Sequence, residues 1–221
     1  MKHYSFLNES KSDYYAFCTE GDWKIMSMLN FIFNTKYSKY PMFLQYVNCT
    51  HKVTGEDYYK AREVLKEGDI ILRGHDNYLS KFFIPGKYSH SGIYQGNDIV
   101  IHSTIEKGVH ESNLVDFMRC DRFMAFRPIR GQIPIIVEAH KLIGKKYDNE
   151  LEDNDDEYYC HEFVATVLNN CGFEIQKIRA STLFGLIKKD IYCADSFIKN
   201  YQFVKFLEID WKLNLWNNIH F

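Results

Sequence analysis

The sequence predicts an α+β fold in which an antiparallel sheet of about five strands packs on a helix that starts with a cysteine. Between residues 68 and 128, short apolar runs alternate with turn residues such as Gly96-Asn97-Asp98, the pattern of an antiparallel meander. After Tyr159, apolar residues recur at helical spacing until Gly172. Residues 1–66 carry separate helical patterns, so we expect a helical N-terminal extension, 1–66, followed by the main domain, 67–221.

Composition limits the classes of function. A chain of 221 residues can bury a substantial core, and a net charge of −2 gives no general electrostatic footprint for nucleic acid. We find no run of ~18 apolar residues that would span a membrane and no signal-peptide pattern. We therefore expect a cytoplasmic protein without a transmembrane segment, whose six cysteines are reduced.

The N-terminal extension contains two predicted helix starts. Thr19-Glu20-Gly21-Asp22 has capping-box spacing ahead of an apolar helix that continues to Phe33, and Thr54-Gly55-Glu56-Asp57 repeats the spacing ahead of a second helix. Packing is the favoured explanation of these aromatic-rich segments, and a lid or a partner site is the alternative.

In the main domain, residues that start or end helices and strands predict the individual elements. A helix opened by Pro134 is closed by Gly144, and the acidic run 150–157 is read as a solvated loop in preference to a metal site. A helical turn is expected at 116–120 and a further strand at 201–209. The five meander strands are predicted at 69–73, 89–94, 99–103, 109–111 and 122–127.

Cys160 lies in the first turn of the best-defined helix. It begins an apolar stripe whose members are spaced i, i+3, i+4, i+7, i+8 and i+11. Unpaired N–H groups and the positive end of the helix dipole favour a thiolate there, and a nearby imidazolium favours it further. Cys160 is therefore the candidate nucleophile, although a lone cysteine on an apolar stripe is more often part of the core.

His90 is the candidate base, and His102 on the next strand is the candidate orienting group. The hairpin between them decides whether they meet. An odd loop that pairs Tyr94 with Asp98 sets His90 opposite His102, whereas an even loop that pairs Tyr94 with Ile99 sets Ser103 there. The odd loop is modestly favoured. The alternative hypothesis is that both histidines have only a structural role.

Five segments of the chain form a recognisable series, namely Gly68-Asp69-Ile70-Ile71-Leu72, Tyr88-Ser89-His90-Ser91-Gly92-Ile93-Tyr94, Ile99-Val100-Ile101-His102-Ser103 with Gly108-Val109, Gly144-Lys145-Lys146-Tyr147-Asp148 and Tyr159-Cys160-His161-Glu162-Phe163-Val164. Together they resemble the permuted papain-like cysteine hydrolases of the YiiX/YebB group, a branch of the NlpC-type superfamily. In this group the helix that carries the nucleophile follows the sheet that carries the histidine, the reverse of papain.

The resemblance implies a permuted papain-like fold and assigns Cys160 as nucleophile, His90 as general base and His102 as orienting group. The YiiX-like branch commonly has Glu where this chain has His102, so the arrangement is closer to the Cys-His-His set of other members. Tyr147 and Tyr159 are expected to contact the substrate. No cofactor or metal is expected, and His161 receives no catalytic role.

Two functions from different classes follow. The first is a thiol hydrolase or acyltransferase that cleaves an amide or ester bond, with a small peptide or an acyl lipid as substrate and peripheral membrane contact compatible with the latter. The second is a catalytically weak or inactive binding module on the same fold. A zinc site built from His90, His102, His110 or Cys160 is less favoured because close-spaced ligand pairs are missing. The sequence leaves the oligomeric state open.

Overall fold

A computed structural model of the chain divides it into two compact units, Met1–Thr50 and His51–Phe221. The structure describes residues 37–40, 43–46, 51–76, 86–129, 133–149, 156–182 and 187–210.

The described part of the first unit is a hairpin of strands β1 (Tyr37–Tyr40) and β2 (Phe43–Tyr46), which pair antiparallel with Tyr40 opposite Phe43. For these segments the prediction of helix is wrong. Each strand starts and ends with an aromatic residue, and Pro41 stands between the strands, so strand propensity and a helix breaker outweigh the helical pattern. The helix predicted from Thr19 to Phe33 lies outside the described residues.

The second unit is built on one six-stranded antiparallel sheet, which confirms the predicted fold class. The strands are arranged in the order β10-β7-β3-β4-β5-β6. The segment predicted as a further strand is β10, which pairs with β7. The strand bounds are β3 (Ile70–Gly74), β4 (His90–Gly96), β5 (Ile99–Thr104), β6 (Gly108–Asn113), β7 (Arg122–Pro128) and β10 (Phe203–Asp210), and β8 (Ile178–Thr182) with β9 (Ile187–Ile191) forms a separate hairpin.

The helices that the structure describes surround this sheet. Thr54 and Asp57 form the predicted capping box at the first of them, whose Ala61 is fully buried in the unit that contains the sheet. Within the described part of the chain, no helix is both long and apolar enough to cross a bilayer. The bounds are α1 (Gly55–Val64), α2 (Leu114–Phe117), α3 (Ile133–Lys141), α4 (Cys160–Asn170) and α5 (Ala194–Ile198).

Each face of the sheet carries its own apolar core, because successive side chains of a strand point to opposite faces. Helices α3, α4 and α5 pack on one face with Ile93 and Ile101, and we call this the helix α4 face. Helices α1 and α2 pack on the other face with Val100 and Phe117, and we call this the Phe117 face. Side chains of β4 and β5 therefore alternate between two different environments.

The β4–β5 hairpin has neither of the registers predicted from the sequence. Its loop is even, since Gly96 pairs with Ile99 around Asn97 and Asp98, both of which have positive φ. A bulge between Tyr94 and Gly96 then shifts the pairing by one residue. Two-residue loops with two positive φ values match the twist of a hairpin, and the bulge restores the side-chain parity that an even loop alone would lose.

The shifted register makes Gly92 a point of close packing. It brings His102 across from Gly92, so His90 and His102 lie diagonally on the Phe117 face. A Cβ at Gly92 would lie 2.8 Å from Val100 Cγ1, 3.0 Å from Phe117 Cε2 and 3.2 Å from His102 Cβ. The absence of a side chain at position 92 leaves the space that the His102 ring and its neighbours occupy.

We expect Gly92→Ala to reduce the free energy of unfolding by about 1–3 kcal/mol, because the added methyl group overpacks a rigid site. Urea unfolding followed by far-UV circular dichroism measures the change. Gly55→Ala is the matched control, since nothing lies within 4 Å of its Cβ and it starts helix α1. Equal unfolding midpoints for wild type and Gly92→Ala would contradict the packing assigned to Gly92.

Candidate active site

Cys160 is the first residue of helix α4, as the apolar spacing predicts. Tyr159 precedes it in an extended conformation and caps the helix without a side-chain hydrogen bond. The thiol is buried, with 2% of the residue exposed. Because the first N–H groups of a helix have no partner inside it, they remain available to the sulfur.

Two serines hold the start of helix α4 on the sheet. Ser91 Oγ donates a hydrogen bond to the Cys160 carbonyl oxygen at 3.0 Å, and Ser103 Oγ donates to the Tyr158 carbonyl oxygen at 2.6 Å. Both serines are fully buried. They lie on adjacent strands, β4 and β5, so the nucleophile segment is attached at two points of one hairpin.

The sulfur of Cys160 lies against the backbone of β4. The thiol contacts the Ser89 carbonyl oxygen, with sulfur and oxygen 3.8 Å apart. Burial raises the thiol pKa to about 11, although hydrogen bonds from the backbone N–H groups of Ser91 and His161 lower it. The helix terminus thus favours the thiolate as expected from the sequence, but desolvation outweighs it and the resting group is a neutral thiol.

His90 and His102 contact each other directly. Nε2 of His90 lies 2.7 Å from Nδ1 of His102, and the rings meet edge to face at an interplanar angle of 84°. Burial, followed by the charge of Arg73, lowers the pKa of both imidazoles well below the ordinary value. Two neutral rings can share one proton between these nitrogens, so one ring donates and the other accepts.

Aromatic rings enclose the pair on the Phe117 face. The Phe117 ring centroid lies 5.5 Å from that of His90 and 5.5 Å from that of His102. The His110 ring lies against that of His102, with centroids 4.6 Å apart and planes tilted by 39°, and its Nδ1 donates to the Gly108 carbonyl oxygen at 2.9 Å. These contacts restrict rotation of the two imidazoles.

The Cys160 sulfur meets the backbone that flanks His90, and among the described residues no hydrogen bond joins the sulfur to an imidazole. The Cys160 sulfur contacts Ser89 and receives the N–H of Ser91, the residues on either side of His90. His102 reaches the same place through its contact with His90. The catalytic roles of the three side chains stay predictions.

The two predicted substrate residues have different surroundings. Tyr147 is half-buried, and its pKa is raised well above the ordinary value by burial and then by the neighbouring Cys160. Tyr159 is buried, and its hydroxyl oxygen accepts a hydrogen bond from the Tyr192 backbone N–H at 2.8 Å. Tyr147 is thus near the thiol, whereas the Tyr159 hydroxyl is engaged within the protein. Substrate contact by either stays a prediction.

Sequence reasoning missed the Ser91–His161 contact. His161 Nδ1 lies 2.9 Å from Ser91 Oγ, and burial lowers the His161 pKa to about 3, so the ring is neutral. Since Ser91 donates its proton to Cys160, its oxygen accepts from His161 Nδ1–H. The Ser-His-Ser sequence at 89–91 was a signal, because alternation must send Ser91 to the face opposite His90.

The described part of the chain contains no evident metal-binding site. There, no group of three or more His, Cys, Asp or Glu side chains is arranged to hold an ion. The site consists of a thiol at a helix start beside backbone N–H donors and a pair of neutral imidazoles on the adjacent sheet.

The helix that begins with Cys160 follows the sheet that carries His90 and His102 in the chain and packs on it, which is the order of a permuted papain-like fold. Residues 64–203 match the family described as permuted papain-like amidase enzyme, YaeF/YiiX, C92 family, and the chain belongs to this family. The predicted resemblance is therefore confirmed, and the family supports a cysteine hydrolase kind of function.

A solved structure supports the fold independently. The crystal structure of metalloprotein yiiX from Escherichia coli O157:H7 is similar to this chain with a TM-score of 0.56 and 18% sequence identity. The similarity covers 66% of this chain and 98% of that one. Among curated proteins, no sequence matches this chain significantly.

We expect Ser91→Ala to lower the free energy of unfolding by about 1–3 kcal/mol, because the Cys160 carbonyl and the His161 N–H would each lose a buried partner. Chemical denaturation measures the loss. Ser112→Ala is the matched control, since its buried hydroxyl has no hydrogen-bond partner among the described residues. If the two variants were equally stable, Ser91 would not anchor the helix.

The raised thiol pKa gives a pH dependence. Below a pKa of about 11 the thiolate fraction grows with pH, so alkylation of Cys160 by iodoacetamide should accelerate about tenfold per pH unit from about pH 7 to 10. Peptide mass spectrometry at several pH values measures the rate at this cysteine. A rate that is already constant below pH 7 would instead show a preformed thiolate–imidazolium pair.

Proposed function

We propose that the protein hydrolyses an amide or ester bond through a thioester on Cys160, with His90 as general base and His102 as the group that orients it. The observation that carries the proposal is the 2.7 Å contact between the two ring nitrogens, at the strand end against which the Cys160 sulfur lies. A nucleophile, a base and a group that orients the base are the minimal parts of this chemistry.

The contact between the imidazoles specifies their tautomers in the active form. Nε2 of His90 is occupied by His102, so the nitrogen left to take the thiol proton is Nδ1. For Nδ1 to be unprotonated, His90 carries its proton on Nε2 and donates it to His102 Nδ1. His102 then carries its own proton on Nε2, a buried atom without a hydrogen-bond partner in the described residues.

The reaction starts from neutral groups. His90 Nδ1 takes the Cys160 proton as the sulfur attacks the substrate carbonyl, and backbone N–H groups beside the sulfur are the candidate donors to the resulting oxyanion. Collapse expels the amine or alcohol, which takes the proton back from His90 and leaves a thioester. Water, deprotonated by His90, attacks the thioester, and the thiol leaves with that proton.

The raised thiol pKa and the lowered imidazole pKa values disfavour proton transfer between the resting groups, so the transfer has to accompany attack of the sulfur on the carbonyl carbon. A thiol that is neutral at rest resists oxidation and ionises only as the carbon–sulfur bond forms. Hydrolysis and acyl transfer share every step up to the thioester and differ in whether water or another acceptor attacks it. A small peptide and an acyl lipid are both compatible donors, and contact with a membrane surface belongs to the second.

Acyl-enzyme formation tests the nucleophile. With 4-nitrophenyl hexanoate we expect the intact mass to increase by one acyl group, located on Cys160 by peptide mass spectrometry, and we expect Cys160→Ala to abolish it. Cys171→Ala is the matched control, because Cys171 follows the same helix and is more exposed. His90→Ala should slow acylation by about 10²–10⁴-fold, the usual contribution of a general base.

The alternative function is a binding module that has lost efficient chemistry. It is favoured by the thiol pKa of about 11, which leaves little thiolate at neutral pH. The same acylation experiment separates the two. Acylation of Cys160 no faster than of Cys171, or unchanged in His90→Ala, would exclude the hydrolase mechanism and leave the binding module.

A further inference from the structure

Arg73 places a guanidinium beside the histidine pair. It lies on β3 directly opposite His90, so the two side chains share the Phe117 face. The guanidinium carbon lies 5.1 Å from the centroid of the Phe117 ring, the same ring that both imidazoles contact. One aromatic side chain thus supports a cation and two imidazoles side by side.

No described carboxylate forms an ion pair with the Arg73 guanidinium. Within the described residues it forms no ion pair, its Nε is buried without a hydrogen-bond partner, and its only hydrogen bond is a long one from Nη1 to the Phe117 carbonyl oxygen at 3.5 Å. Three other arginines are paired with carboxylates, namely Arg62 with Asp98, Arg122 with Asp76 and Asp210, and Arg127 with Asp69.

The missing ion pair of Arg73 has consequences for stability and for the pKa values of its neighbours. A half-buried guanidinium without a counter-charge costs free energy, because its N–H groups lose water and gain little in return. Its field also reaches the site, since Arg73 lowers the pKa of Cys160 and, after burial, is the largest influence lowering those of His90 and His102. A protein that retains such a group beside a nucleophile benefits if an anion binds there.

We propose that Arg73 binds an anionic group of the substrate, a carboxylate or a phosphate, close to the carbonyl that Cys160 attacks. The inference rests on the proposed hydrolase function and narrows its substrate to acidic acyl compounds. A guanidinium suits this role because its planar fork matches carboxylate and phosphate oxygens and its charge does not titrate. The unpartnered Nε is one edge of that fork.

A pair of acyl donors of equal length tests the proposal. One is 4-nitrophenyl hexanoate, and the other is the 4-nitrophenyl monoester of adipic acid, which replaces the terminal methyl group by a carboxylate. We expect Arg73→Gln to lower the ratio of kcat/KM for the adipate ester to that for the hexanoate ester by at least about tenfold, the effect of losing one charge-assisted hydrogen bond. Arg73→Lys should retain part of the preference.

Arg62→Gln is the matched control, because it removes an equal charge from an exposed pair with Asp98 and should leave the ratio unchanged. A phosphonate-terminated ester of the same length shows whether carboxylate or phosphate is preferred. A ratio that stays constant in Arg73→Gln overturns the proposal. In that case Arg73 acts on both donors alike, as a structural residue or through the sulfur.

A binding measurement separates this proposal from the chemistry. Titration of Cys160→Ala protein with adipate dianion in a calorimeter needs no catalysis, and we expect binding that is lost in the Cys160→Ala, Arg73→Gln double variant. Binding without acylation of the wild-type protein would leave the anion site in place and overturn the hydrolase mechanism. Acylation of Cys160 together with adipate binding that is unchanged by Arg73→Gln would support the hydrolase mechanism and overturn the anion site.

Discussion

The fastening of helix α4 to the β4–β5 hairpin is the constraint on which the rest of the site depends. Ser91 and Ser103 donate to carbonyl oxygens on either side of the Tyr159–Cys160 peptide, so the start of the helix cannot slide along the sheet without leaving buried polar groups unpaired. Side-chain alternation then places the His90 and His102 rings against Phe117, and His90 is the first residue of β4, next to the Ser89 carbonyl that the sulfur contacts. One hairpin therefore positions Cys160 through its serines and the imidazoles through the residues next to them.

This arrangement requires the β4–β5 pairing to place His102 on the Phe117 face and Ser103 on the helix α4 face. With an even loop and no bulge, Ser103 would have replaced His102 on the Phe117 face, and the helix would have lost an anchor as the base lost its partner. The bulge between Tyr94 and Gly96 prevents both losses at once, because it shifts every later residue of the pair by one position. Gly92 completes the arrangement by leaving room opposite His102.

Much of this architecture could be predicted from local patterns. Alternating apolar runs predicted the strands, and the helical stripe placed Cys160 at the start of α4, because both periods are properties of a single segment. The diagonal contact of His90 with His102 depends on a bulge, and the local sequence Tyr-Gln-Gly does not predict one. The hairpin at 37–46 was mistaken for helix because aromatic residues serve either structure. The neutral thiol could not be foreseen, since burial depends on what the whole fold places around a residue.

Arg73 is a charge that acts on the thiol and on both imidazoles, which are neutral at rest. A thiolate–imidazolium pair would carry its own compensating charges, whereas a neutral thiol beside neutral imidazoles offers nothing to balance a guanidinium. Negative charge develops at this site only when sulfur attacks or when an acidic substrate arrives. An acidic substrate would thus meet a cation that forms no ion pair within the described residues, and its charge would offset the cost of holding that cation on Phe117. Desolvation of these groups thus accounts for the neutral resting state of the thiol and the imidazoles, and it also favours binding of an acidic substrate by Arg73.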